Sequence, residues 1–118
     1  MYQRHKDGTA GEKLALRFLK RQGLKLVERN FRTRLGEIDL IMMDGEYLVF
    51  IEVRYRGDDS KVSALESITP RKQARIRQAA AMWLRHNCAG LEPDCRFDAV
   101  GIDGPLEGAA LNWIRNAF

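Results

Sequence analysis

Residues 35–56, LGEIDLIMMDGEYLVFIEVRYR, decide how the rest of the chain is read. Two strand-like runs flank Asp44-Gly45, a pair that suits the positive φ angles of a two-residue hairpin turn. Side chains alternate across a strand. In the first run Glu37, Asp39 and Ile41 share one face, and Ile38, Leu40 and Met42 the other. In the second run Leu48, Phe50, Glu52 and Arg54 oppose Tyr47, Val49, Ile51, Val53 and Tyr55. With Asp44 and Gly45 as the loop, Met43 pairs with Glu46, Asp39 falls opposite Phe50, Glu37 falls opposite Glu52, and Asp39 lies diagonal to Glu52. Parity then gathers Glu37, Asp39, Glu52 and Arg54 on one face. Diagonal cross-strand neighbours stand roughly 7–8 Å apart, near enough for two carboxylates to converge on one cation. Like charges directly opposed on a sheet repel, so a bound cation accounts for such a patch beside apolar Leu48 and Phe50. A solvated face with Glu52–Arg54 or Glu37–Arg54 ion pairs is the competing reading.

The 118 residues form a single domain, 1–118, and a hydrophobic content of 45% excludes a disordered chain. No apolar run reaches membrane-spanning length, and MYQRHKDGTAG holds no signal-peptide stretch. No membrane partner and a cytoplasmic location are therefore expected. Cys88 and Cys95 match no zinc spacing even with His86 nearby, and are expected as free thiols. The net charge of +4 conceals a polarity. Residues 1–34 carry ten Lys/Arg against three acids, residues 35–68 three against eight, and residues 69–118 seven against five. Acidic centre and basic flanks suit a metal-dependent enzyme acting on a polyanion, although charge alone fits solvated helix faces equally well.

Thr9 with Glu12 three residues on predicts a capping box opening the first helix, and Gly23 predicts its end. Gly11, Ala15, Phe18, Leu19 and Gln22 approximate its packing face. Leu24–Phe31 reads as a strand beside the hairpin. A polar loop over Gly57–Ser67 precedes a second helix with Thr69 as N-cap and Pro70 at its first position. This helix runs to about His86, burying Ile76, Ala79, Ala80, Trp83 and Leu84. Arg71, Lys72, Arg75 and Arg77 crowd its first turns with no acid, against the helix dipole, which suggests a recruited anion, although a solvated basic face is the commoner explanation. Gln73 is a further candidate to face the site. Arg96–Ile102 and, after the GPLEG turn, Leu111–Phe118 read as strands. Asp98 is expected in an ion pair with a basic helix, and Trp83 and Trp113 in the core. The fold class is α/β, a mixed sheet flanked by helices.

GEKLALRFL, GEIDLI, FIEVRYR, TPRKQARI and RFDAVGI together resemble the YraN-like family of uncharacterised predicted endonucleases, relatives of archaeal Holliday junction resolvases. The resemblance covers nearly the whole chain and implies a restriction-endonuclease-like αβββαβ core. It implies that Asp39 and Glu52 hold Mg²⁺ or Mn²⁺, that Glu12 helps complete the catalytic site, and that Arg54 stands where the superfamily has its catalytic lysine. It further implies hydrolysis of nucleic-acid phosphodiesters, DNA in preference to RNA, with branched DNA as a candidate substrate and a homodimer as the working unit. Arg71, Lys72 and Arg75 are the expected backbone-phosphate contacts. Because arginine stays protonated, a binding module that has lost catalysis is the alternative. Lys72, in the second helix, is a candidate substitute for the missing lysine.

Overall fold

The computed structural model describes residues 2–56, 64–91, 93–105 and 107–118, with backbone alone for residues 2–9. Its elements are α1 (Tyr2–Arg21), β1 (Lys25–Arg32), β2 (Glu37–Asp44), β3 (Tyr47–Arg56), a 3₁₀ turn (Leu65–Ser67), α2 (Pro70–Asn87), β4 (Cys95–Asp103) and β5 (Ala110–Ile114). The αβββαβ order is present, with β5 added. Residues 57–63 of the expected polar loop and Leu106 of the GPLEG turn lie outside the described residues. The strands form one sheet in the order β1-β2-β3-β4-β5, with β3 and β4 parallel and the other neighbours antiparallel. Parallel neighbours cannot be joined by a tight turn, and α2 provides the crossover between them.

The two helices cover opposite faces. Ala15, Leu16 and Leu19 of α1 pack on Leu40, Met42, Val49, Ile51, Val100 and Ile102. On the other face, Ile76, Ala79, Ala80 and Trp83 of α2 pack on Ile41, Leu48 and Phe50. The Trp83 indole N–H donates to Glu28 Oε1 at 3.0 Å, so this core tryptophan also ties α2 to β1. α2 starts as the sequence predicts: Thr69 Oγ1 accepts from the Lys72 N–H at 3.2 Å, and Pro70 follows the cap.

Several expectations are corrected. α1 begins at Tyr2, so Thr9 lies inside the helix. An N-cap needs non-helical backbone, and the Thr9–Glu12 capping box is not the start of this helix. Gln22 is exposed because α1 ends at Arg21, while Leu16 takes a place on the packing face. In the hairpin, Asp44 pairs with Tyr47 and Met43 with Leu48, leaving Gly45 and Glu46 as the loop. Gly45, at φ 61°, takes the first loop position. Asp44 stays in the strand, where its carboxylate accepts from Arg96 at 2.9 Å. The slip shifts each pairing by two residues, so the face assignments of Asp39 and Glu52 survive a wrong register.

Ile38 packs with the α2-side cluster instead of with Leu40 and Met42. Asn30, at φ 55°, lies across from Asp39 between the Arg29–Leu40 and Phe31–Ile38 pairs, and its left-handed backbone breaks simple alternation there. The last strand stops at Ile114, because Asn116 at φ 54° turns the chain so that Ala117 N–H donates to Phe97 O and Phe118 stacks on Phe97. Asp98 is paired, but with Arg96 of its own strand and not with a helix.

Candidate metal centre

The acidic residues meet where the hairpin ladder ends. Leu40 and Ile51 are the last paired residues of β2 and β3, and one step further Asp39 faces Glu52. Beyond that point the strands part. The Val53 N–H, which a continuing ladder would have bound, donates instead to Asp39 Oδ2 at 2.8 Å. The Asp39 and Glu52 carboxyls are hydrogen-bonded to one another. Two carboxyls this close disfavour each other's charged form.

The electrostatics follow from this packing. Burial, then the Asp39 charge and the hydrogen bond to it, push Glu52 up to about 9, and Arg54 and Lys72 oppose the shift. Asp39 is raised chiefly by burial. Glu12, on α1, is pushed up to about 7 by burial and then by Asp39, against the pull of Arg29 and Arg32. α1 packs closely here: a Cβ at Gly11 would make ordinary contact with Ile102 at 3.4 Å and Tyr55 at 3.5 Å. Three carboxyls from α1, β2 and β3 thus each have an anion made costly by burial and by a neighbouring acid.

A cavity of about 330 Å³ opens beside the pair, lined by Thr33, Gly36, Glu37, Glu52, Arg54, Lys72, Arg75 and Ile76. Gly36 makes its shape possible. A Cβ there would stand 2.3 Å from the Arg75 carbonyl oxygen, so only glycine lets the first turns of α2 approach β2 so closely. Arg54 is held from two sides: its Nε–H donates to Ser67 Oγ at 2.9 Å, and its NH1 lies 3.5 Å from Glu52 Oε2. Ser67 Oγ in turn donates to the Ala64 carbonyl.

The model of the uncharacterised protein family UPF0102 matches residues 11–102. The chain belongs to this family. It is 46% identical over 116 residues to a UPF0102 protein of Pseudomonas syringae pv. syringae, covering 98% of this chain and 94% of the relative. It is 50% identical over 111 residues to one of Alkalilimnicola ehrlichii, covering 94% and 85%, and 48% identical over 115 residues to one of Nitrosococcus oceani, covering 97% and 93%. The matched span contains Glu12, Asp39, Glu52, Arg54 and Lys72, so the whole acidic cluster lies within the UPF0102 region.

In this UPF0102 chain the sequence-predicted residues separate clearly. Asp39, Glu52 and Glu12 come together, and Arg54, Lys72 and Arg75 join them around the cavity. Arg71 is exposed and does not line it. Gln73 turns away: its amide donates to Ile68 O at 3.3 Å, and it lines a small groove beside Ile114 and Phe118. Glu37 sits at the rim, paired across the strands with Arg32 at 3.6 Å, and does not oppose Glu52. Arg29 and Arg32 of β1 reach Glu12 electrostatically; their positions on the LKLVERNFR exit strand were the only hint of that in the sequence. Cys88 and Cys95 are free thiols remote from the cavity lining.

The donor set suits a hard cation. Asp39 and Glu52 offer carboxylate oxygens, and no Cys or His lines the cavity. Among the described residues no group of three or more His, Cys, Asp and Glu side chains forms a ready cage. Mg²⁺ is commonly held by one or two carboxylates, with waters and substrate phosphate completing its six ligands. Asp39 and Glu52 fit that requirement, and a cation bound between them would offset the repulsion of the two carboxylates. Among the described residues no helix is long and apolar enough to cross a membrane.

Proposed function

We propose that this protein is a Mg²⁺-dependent nuclease that hydrolyses phosphodiester bonds in DNA. The observation that carries this reading is the Asp39–Glu52 pair, two carboxyls set against each other where the hairpin ladder ends, beside a cavity lined by Glu52, Arg54, Lys72 and Arg75. Asp39 and Glu52 would hold the metal, with Glu12 close behind them. A divalent cation bound there neutralises phosphate charge and acidifies bound water. The basic wall on α2 and the Arg29 and Arg32 side of β1 would flank the backbone phosphates of a nucleic acid lying over the acids. In the reaction a water oxygen forms a bond to phosphorus, and the bridging oxygen leaves with its electron pair. One water proton goes to solvent, and the departing oxygen takes one up. The reading places the protein in the cytoplasm and takes a pair of chains as the cutting unit for a branched substrate.

The test is cleavage of labelled duplex, single-stranded and four-way-junction DNA with and without Mg²⁺. Metal-dependent cleavage should be lost in Asp39→Ala and in Glu52→Ala, with folding checked by circular dichroism. Intact cleavage in both variants overturns the proposal. A second reading, a binding module of nuclease descent, draws on the Arg54 guanidinium, which is permanently protonated and tied to Ser67. It expects salt-sensitive DNA binding without turnover, and cleavage emerging only in Arg54→Lys.

A further inference from the structure

Two cationic side chains border Glu52, and the structure gives them different work. Arg54 belongs to β3 and is committed at both edges, with Nε–H on Ser67 Oγ at 2.9 Å and NH1 3.5 Å from Glu52 Oε2. Ser67 is itself buried and anchored to Ala64 O. The guanidinium therefore fastens the metal-side carboxylate to the 3₁₀ turn, as a latch that keeps Glu52 in place. Lys72 comes from the opposite wall. The Thr69 cap fixes the backbone of its turn, since the Lys72 N–H donates to Thr69 Oγ1, and Pro70 presets the first residue. Gly36 admits that helix end against β2. The Lys72 side chain lines the cavity with Glu52 and Arg75 and lies near enough to Glu52 to act on its charge.

Resting on the nuclease reading above, we infer that Lys72 contacts the phosphate under attack and neutralises its developing charge, and that Arg54 is a positioning residue for Glu52. The substrate is the same class of phosphodiester. An ammonium suits this role: it is a compact charge with three donors on a flexible stem and can follow a phosphate from ground state to transition state. The role is an electrostatic one and transfers no proton.

The experiment compares four variants of the full chain on the best-cut DNA, with Mn²⁺ titrated. Lys72→Ala should lower kcat by about 100-fold or more, the scale of removing one preorganised donor to a developing oxyanion, with little change in KM and an unchanged Mn²⁺ half-activation point. Arg54→Ala should instead raise the Mn²⁺ concentration needed for half-maximal activity and recover at high Mn²⁺. Arg54→Lys should gain nothing over the unaltered protein. Lys72→Cys, made with Cys88 and Cys95 replaced by Ser, should regain activity when alkylated by 2-bromoethylamine, which rebuilds a charged amine of lysine length, and not by neutral iodoacetamide. Full activity in Lys72→Ala, recovery with iodoacetamide, or no recovery with 2-bromoethylamine each overturns the Lys72 assignment alone. An unaltered protein that leaves every DNA uncut overturns the nuclease reading, and this inference with it.

Discussion

Asp98 and Asp39 are both acids on the same sheet, and they are satisfied in opposite ways. Asp98 is fully buried, yet its carboxylate accepts two hydrogen bonds from the Arg96 guanidinium, at 2.9 and 3.0 Å, one from the Trp113 indole at 3.0 Å and one from the Asn116 backbone at 2.9 Å. Arg96 continues to Asp44 at 2.9 Å, so the network ties the hairpin turn to β4, β5 and the last residues. Around Asp39 the balance is reversed. It has the Val53 N–H, but its other close neighbours include the carboxyls of Glu52 and Glu12. Donor supply separates the two: Asp98 is enclosed by donors, whereas Asp39 is left facing other acids.

The largest break in that comparison is Asp98→Ala. It strands Arg96 without its carboxylate and should cost about 3–5 kcal/mol, as removal of one partner of a buried pair does, read from urea denaturation. Next in size is the metal. Mg²⁺ at a hundred times its dissociation constant should stabilise the folded chain by about 2.7 kcal/mol, seen as a rise in Tm. That rise should be absent in Asp39→Asn and larger at pH 8 than at pH 6, because the cation must displace protons held by Glu52 and Glu12.

Glu52→Gln should stabilise the metal-free protein at pH 8 by roughly 1–3 kcal/mol, the scale of relieving a buried, poorly compensated polar group. The sign follows from linkage. Glu52 sits near 9 in the folded chain against 4.5 in the open one, so the folded state binds the extra proton and stability falls as pH rises between those values. The amide removes that fall, and a pH series of melts on both proteins checks it. The smallest effect belongs to the exposed Arg32–Glu37 pair. Arg32→Ala should change stability by less than about 0.5 kcal/mol while lowering the salt dependence of DNA binding by about one phosphate contact.

The acidic site was legible in the sequence because period-two alternation survives an even slip. The turn was placed one residue early, yet Asp39 and Glu52 still shared a face, and the true register brought them directly opposite. What stayed hidden depends on distant partners. Asp44 remains in its strand because of Arg96, fifty-two residues away, which no local turn preference encodes. Ile38 sits on the α2 side, beside the point where Asn30 of another strand takes a left-handed backbone. Lys72 was one basic residue among four at a helix start, and only the close passage of α2 over Gly36 singles it out. The capping pair Thr9 and Glu12 was a sound local signal that a longer helix overrode, and Glu12 instead lies near enough to Asp39 for each charge to oppose the other.

The parallel pairing of β3 with β4 also sets an order of events. The β2–β3 hairpin closes over two loop residues, whereas β4 must return across the whole of α2 before it can pair. Short-range closure is fast, and long-range closure carries the greater chain-entropy cost. Asp39 and Glu52 are therefore drawn together while water still surrounds them, at little cost. Lys72 and Arg75 arrive with the crossover, and only then does the repulsion between the acids become expensive. Folding loads the site last.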